Sequence, residues 1–134
     1  MQNKIGKAFA PAHISGIFII ETKKDSSLSG SMGCGICLED GAVTEVRPAR
    51  ETMIRINGAV TRAPTTLSAI ELLTQEPVLV DTKLNIPIGA GFGTSGAGAL
   101  STALSLNEAL SLDLTLKEVA RAAHCAEVTN MTGL

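Results

Sequence analysis

The 134-residue sequence predicts one α+β domain in which strands precede helices. Up to Ile86 the apolar residues come in short β-branched runs, often alternating with polar ones. A cluster of five glycines then falls between Gly89 and Gly98, and beyond it small and leucine residues recur with helical spacing. Neither an internal repeat nor a low-complexity linker divides the chain.

Taken in order, Lys7–Glu21 reads as a strand, most β-rich from Gly16 to Glu21, and Lys23–Ser29 as a polar loop. Gly35–Leu38 and Val43–Val46 read as two strands flanking Glu39-Asp40-Gly41-Ala42, where Asp-Gly signals a hairpin turn. Thr52–Ile56 is a further strand, followed by Asn57-Gly58, the pair that suits a type I′ turn. Thr65 or Thr66 is expected to cap a short helix ending near Leu73. Val78–Ile86 alternates with period two, placing Val78, Val80, Thr82, Leu84 and Ile86 on one face before Pro87 stops the ladder. Gly96–Leu110 is small or leucine nearly all round and predicts a central buried helix. Thr115-Leu-Lys-Glu118 is a capping box that opens a last helix running to about Val128.

Composition narrows the function. Hydrophobic residues at 45% against 18% charged exclude an extended disordered chain. Aromatics are 2%, with no Trp or Tyr, so a base-stacking platform is not expected. A net charge of −2 also disfavours a phosphate-backbone binder, and no nucleic-acid partner is expected. The N-terminal residues lack a signal-peptide pattern, and no run of about 18 apolar residues exists. A cytoplasmic protein without a membrane partner is therefore expected. Cys34, Cys37 and Cys125 are expected to be buried, reduced thiols. Cys34-Gly-Ile-Cys37 has redox spacing, but it does not open a helix and has no second pair for zinc.

The segment that carries chemistry is Pro87-Ile-Gly-Ala-Gly-Phe-Gly-Thr-Ser-Gly-Ala-Gly-Ala99. Backbone N–H groups freed of Cβ crowding can converge on an anion at the positive end of the following helix. Thr94 and Ser95 are expected at the N-cap, where hydroxyls reach a phosphate oxygen or Mg²⁺. No Gly-Lys-Ser/Thr ending is present, which excludes a Walker A loop. Gly91, Gly93 and Gly96 fit a dinucleotide fingerprint, but Asp113, the spaced acid, lies between helices instead of after a strand. The expected phosphate-binding set is Gly89, Gly91, Gly93, Thr94, Ser95, Gly96 and Gly98.

On the last helix Leu116, Val119, Ala120 and Ala123 share an apolar face with Glu127 in its middle, and His124 on the border. A carboxylate so placed either frays into solvent or meets a partner, and Ser95 with Glu127 would give a sparse oxygen site for Mg²⁺ completed by phosphates and water. His13 precedes a strand and competes between a structural role and a place in the cleft. Arg47, Arg50, Arg55 and Arg62 are either clamps for an acidic substrate or solvated charges.

These segments resemble the GHMP kinase superfamily. Ala10-Pro-Ala-His-Ile-Ser-Gly-Ile-Phe18, Gly91-Phe-Gly-Thr-Ser-Gly-Ala-Gly-Ala-Leu100 and Ala122-Ala-His-Cys-Ala-Glu127 with Thr132-Gly-Leu134 are similar to its archaeal pantoate kinase branch, although Thr94 and Gly96 replace the commoner Ser and Ala. The resemblance implies ATP-dependent phosphorylation of the pantoate 4-hydroxyl toward coenzyme A, with Mg²⁺. It puts the loop on the ATP phosphates, Ser95 and Glu127 on the metal, and His13 and Ser15 on the substrate side. It also implies a mixed sheet packed against helices with a left-handed βαβ crossover. Residues 1–134 would then be the N-terminal, ATP-binding domain, with the C-terminal domain absent. The expected catalytic Asp, in Thr-Gly-Leu-Gly-Asp, and a glycine-rich motif would lie beyond Leu134, so no catalytic residue is assigned within this chain. A non-catalytic ATP- or phosphate-binding module and a kinase for mevalonate, homoserine or shikimate stay open as alternatives, and so does a homodimer formed through an exposed inter-domain face.

Overall fold

Small and β-branched residues in the first third of the chain form two long antiparallel strands. The computed structural model describes residues 4–132. In it β1 spans Gly6–Glu21 and β2 spans Gly30–Pro48. The loop between them holds a single 3₁₀ turn, Ser26–Leu28, begun by Asp25 accepting the Ser27 N–H. The Asp40-Gly41 turn expected from the sequence is absent. Gly41 instead sits opposite Pro11 in the middle of the ladder, where a Cβ would lie 2.1 Å from the Ala10 carbonyl oxygen. Glycine serves here for close approach of two strands, not for a reversal. Register shifts between Pro11 and His13 and between Ser15 and Ile17 bend the pair.

β3 (Met53–Ile56) and β4 (Ala59–Val60) flank Asn57-Gly58, and both turn residues take positive φ, +50° and +82°, as the type I′ pair requires. α1 spans Pro64–Leu73. Its N-cap is Ala63 at φ +35°, not Thr65 or Thr66, which lie buried in the first turn. Pro64 at the first helical position fixes that start, because its ring is preset for the helix and it has no N–H to satisfy. β5 spans Val78–Leu84 and stops short of Ile86. The sheet order is β1-β2-β5-β3-β4, with β3 and β5 parallel across the α1 crossover and every other pair antiparallel. β5 reaches β2 only from Ala42 to Pro48. The far half of the β1–β2 pair therefore projects as a two-stranded arm.

α2 spans Thr94–Ala109 and is the central helix, packed on β1 and β2 and flanked by α1 and α3 (Leu116–Thr129). Its small residues let the sheet come close, and two of its hydroxyls join a buried ladder: Thr44 Oγ1 lies 2.7 Å from Ser101 Oγ and 2.9 Å from Thr82 Oγ1, while Ser105 donates to the Thr44 carbonyl. The buried Thr102 hydroxyl has no partner among the described residues. Val46, Ile54, Ile70, Val78, Val80 and Leu106 form the main core. Where the helices meet, Ala69, Ala99, Ala123 and Ala126 pack without a large side chain among the buried residues.

The capping box of α3 forms as expected, with Thr115 and Glu118 exchanging bonds. Its buried face is turned from the expected one: Val119, Ala123, Ala126 and Val128 are inside, whereas Leu116 is 70% exposed and Ala120 is exposed. The i, i+4, i+7 row of small residues is what fits against α2. Among the described residues no helix is long and apolar enough to cross a membrane.

Two outcomes check this packing. Gly41→Ala should destabilise the chain by about 1–3 kcal/mol through the backbone clash, read as a lower urea midpoint. Hydrogen bonds from the Thr115 hydroxyl and backbone hold the Glu118 carboxyl below its ordinary range. A depressed folded pKa means this stabilisation is complete above the unfolded pKa and is lost as pH falls through the folded one. Thr115→Ala should therefore lower the urea midpoint at pH 7, with the gap to wild type narrowing at acid pH.

Candidate functional site

The glycine loop is anchored before it begins. Asn57 accepts the Leu84 N–H at 2.9 Å and donates to the Leu84 carbonyl at 3.2 Å, so the turn after β3 fixes the end of β5. The chain then passes through Gly89, Gly91 and Gly93 at φ +73°, +84° and +63°, the left-handed region that glycine enters without strain. Gly93 itself is the N-cap of α2 and offers no side-chain cap. Thr94 and Ser95, expected at the cap, occupy the first turn; Thr94 is buried and Ser95 half-buried. No side chain caps the leading N–H groups of α2, which leaves them open to an anion.

β1 holds the loop from the other side. The His13 N–H donates to the Phe92 carbonyl at 3.0 Å, and the His13 ring fills the space above Gly93, where a Cβ would lie 2.2 Å from Cε1. Two cavities open on either side of this contact. The first, about 770 Å³, is lined by His13, Ser15 and Cys34 from the arm and by His124 and Glu127 from α3. The second, about 640 Å³, is lined by Arg62, Thr65, Thr66, Ile88, Thr94 and Ser95, among others. Gly91, Gly93 and Thr132 border both, so the loop and Thr132 form a shared wall.

Glu127 stands at that wall. Thr132 donates its hydroxyl to Glu127 Oε1 at 2.8 Å and its N–H to the Glu127 carbonyl at 2.9 Å, and it lies 3.3 Å from the Thr65 hydroxyl. Glu127 Oε2 occupies the space beside Gly96, where a Cβ would come within 3.2 Å. The missing side chain of Gly96 thus admits the carboxylate against the first turn of α2, which also carries Ser95; Glu127 lines the first cavity and Ser95 the second. Gly98 lies further along α2 and borders the second cavity opposite Thr66. One carboxylate and one hydroxyl are hard oxygen donors, and no cluster of three or more His, Cys, Asp or Glu occurs among the described residues. That donor set fits Mg²⁺, which keeps waters and takes phosphate oxygens, and does not fit a closed structural zinc site.

Other expectations change. Cys34 and Cys37 are exposed and Cys125 half-buried, so they are not the buried thiols the composition suggested. Three residues apart on one strand, Cys34 and Cys37 face opposite sides of the arm and cannot act as a redox pair. Arg62 lines the second cavity, Arg55 pairs with Asp81 at 3.8 Å, and Arg47 and Arg50 lie outside both. His124 and Thr132 are site-lining residues that the sequence reading did not assign. Their signal was positional: three residues before and five after Glu127, on the same helix end.

A family model described as the GHMP kinases N terminal domain matches residues 59–133, which include the glycine loop, α2 and α3. The chain belongs to the GHMP kinase family. It is 31% identical over 135 residues to a pantoate kinase of Methanospirillum hungatei JF-1, and 31% over 134 to one of Methanocaldococcus jannaschii, covering 95% and 94% of this chain and 47% of each relative. A third, from Thermococcus kodakarensis, is 33% identical over 142 residues. A solved phosphotransferase related to the CoA biosynthesis pathway superposes with TM-score 0.86 at 31% identity, over 97% of this chain and 48% of that one. A mevalonate diphosphate decarboxylase from Staphylococcus aureus superposes with TM-score 0.75 at 21% identity, a likeness of fold alone. The chain spans about half the length of the curated relatives it matches.

In this GHMP kinase domain the matched segment supplies the loop, Ser95 and Glu127, while His13 and Ser15 come from β1 outside it. Gly93→Val should both strain the left-handed cap and collide with His13. Its tripolyphosphate affinity by calorimetry should fall at least about tenfold, and the His13 imidazole resonances should shift. Unchanged affinity would remove the loop from the anion site.

Proposed function

We propose that this chain is the N-terminal, ATP-binding domain of a longer cytoplasmic kinase that transfers the γ-phosphoryl group of ATP to the 4-hydroxyl of pantoate. The observation that carries the reading is the shared wall: one glycine loop bordering two cavities, with Glu127 and Ser95 beside it. A phosphoryl donor on one side and an acceptor alcohol on the other would meet at that wall. The three relatives named pantoate kinase support the choice of acceptor.

In this reading the cavity beside Arg62, Thr65 and Thr66 takes the nucleotide, and the backbone N–H groups at Gly91–Ser95 hold its phosphates against the positive end of α2. The cavity under the arm takes the hydroxy acid, with His13 and Ser15 as polar contacts that orient it. Mg²⁺, held by Ser95 and Glu127, would supply charge neutralisation on the phosphates. Thr132, bonded to Glu127 Oε1, keeps the other carboxylate oxygen turned toward Gly96 in the first turn of α2. Little covalent chemistry is asked of the protein: the alcohol oxygen attacks phosphorus in line, the bond to ADP breaks, and fixed N–H dipoles balance the moving charge. No residue of this chain is assigned as the base, which the family resemblance puts after Leu134.

The test uses the full-length protein in a coupled assay of ADP release. Pantoate-dependent turnover is expected, and Ser95→Ala or Glu127→Gln should lower kcat by about 10²-fold or more. Turnover with mevalonate, homoserine or shikimate but not pantoate would reassign the acceptor. ATP binding without turnover on any of them would reduce the chain to a nucleotide-binding module.

A further inference from the structure

His124 lines the first cavity from α3, one turn before Glu127, yet its ring is already engaged. Nε2 lies 2.6 Å from the Ser29 carbonyl oxygen. A carbonyl only accepts, so Nε2–H is the donor in this contact. Ser29 is buried and organises the far end of the arm: its hydroxyl accepts the Lys23 N–H at 2.7 Å and lies 3.0 Å from the Lys23 carbonyl. The next residue is fitted to the same ring. A Cβ on Gly30 would come within 2.9 Å of His124 Cε1. One turn earlier on α3, Arg121 attracts the Asp25 carboxylate, an effect weaker than the hydrogen bonds from Ser27 that hold that carboxyl below its ordinary range.

This contact bears on the cavity because of how the arm is held. Beyond Pro11 and Gly41, β1 and β2 pair only with each other; β5 has ended. Its side chains are largely in solvent, with Ile17 74% exposed. The arm nevertheless supplies Ser15, Ile17, Phe18, Ser31 and Cys34 to one wall of the cavity, and α3 supplies His124 and Glu127 to another. A two-stranded ribbon alone is marginally rigid. The arm's base is tied to the loop by the His13–Phe92 bond, and its far end touches α3 at Ser29 and His124.

We propose that His124 is a positioning residue that latches the far end of the β1–β2 arm onto α3, and so fixes the wall against which the acceptor alcohol is held. The proposal rests on the functional reading above for the identity of the acceptor, but the latch itself does not. It acts through Ser29 and the arm, not by contact with the reacting atoms. Losing it should weaken the acceptor site while leaving the nucleotide cavity, on the other side of the loop, unchanged.

Amide hydrogen exchange on the 134-residue chain tests the latch directly, and steady-state kinetics of the full-length protein test its consequence. His124→Ala should speed exchange in residues 12–36 by about tenfold, the size of one lost hydrogen bond with its packing, and leave α2 and β5 unaffected. Gly30→Ala should do the same with the imidazole still present, by pushing the ring off Ser29. His124→Gln, which keeps an N–H donor at similar reach, should restore most of the protection. In the enzyme, His124→Ala and Gly30→Ala should raise the pantoate KM about tenfold, with kcat within about threefold and the ATP KM unchanged, and His124→Gln should recover most of the loss. Wild-type exchange of the arm in His124→Ala would overturn the latch. A full KM defect in His124→Gln with the arm still protected would overturn it too, since the ring would then be touching substrate. Should the full-length protein not turn over pantoate, the functional reading fails while the exchange result still decides the latch.

Discussion

The site depends on one seat: Gly93, left-handed at the head of α2, lodged under the His13 ring while the His13 N–H holds the Phe92 carbonyl. This contact joins β1 to the loop and sets where the first N–H groups of α2 point. It also divides the space at the end of the sheet into two cavities. A side chain at position 93 would be wrong twice, once for its φ and once for its collision with the ring. Everything proposed for phosphate binding follows from that placement.

The rest of the fold brings three separate stretches of chain to this seat. The ladder of Thr44, Thr82, Ser101 and Ser105 fixes α2 on the sheet with its hydroxyls satisfied, a packing that leucines in their place would not allow. Alanines at the α1–α2–α3 junction let α3 lie close enough for Glu127 to reach the gap beside Gly96. Thr132 then ties that carboxylate to the start of α1 through Thr65. Small residues predominate at these joints, which accounts for a composition rich in glycine and alanine yet firmly folded. The two-stranded arm is the exception, held by its own pairing, by the His13–Phe92 bond at its base and by α3.

Local chemistry was readable in the sequence wherever a short motif decides the backbone. The capping box at Thr115, the Asn57-Gly58 turn and the alternation of Val78–Ile86 as far as Leu84 stand as read, and Gly89, Gly91 and Gly93 take the positive φ that only a glycine loop enters freely. The failures came where a distant partner decides. Asp40-Gly41 has turn composition, but pairing with β1 resumes on both sides of it, at Cys37 and at Gly41, and β5 joins from Ala42, so the irregularity is a bulge within one strand and not a reversal. Thr65 and Thr66 have capping hydroxyls, but Pro64 already sets the start of α1. Leu116 and Ala120 fit a helical apolar stripe, but α2 meets the smaller Ala123 and Ala126 instead. For the site, the loop residues and Glu127 were legible as types at suggestive positions. That the loop is a wall between two cavities was not legible, because it depends on His13, eighty residues earlier in the chain. Nor was the engagement of His124 with Ser29.

The central claim is that one loop separates a nucleotide cavity from an acceptor cavity, and a two-ligand NMR titration of the chain tests it most directly. ATP with Mg²⁺ should perturb residues 61–66 and 88–95. Pantoate added afterwards should perturb Ser15, Cys34 and His124, with both ligands bound at once and the resonances of Gly93 and Thr132 responding to each. Competition between the two ligands, or one common set of perturbed residues for both, would contradict the account.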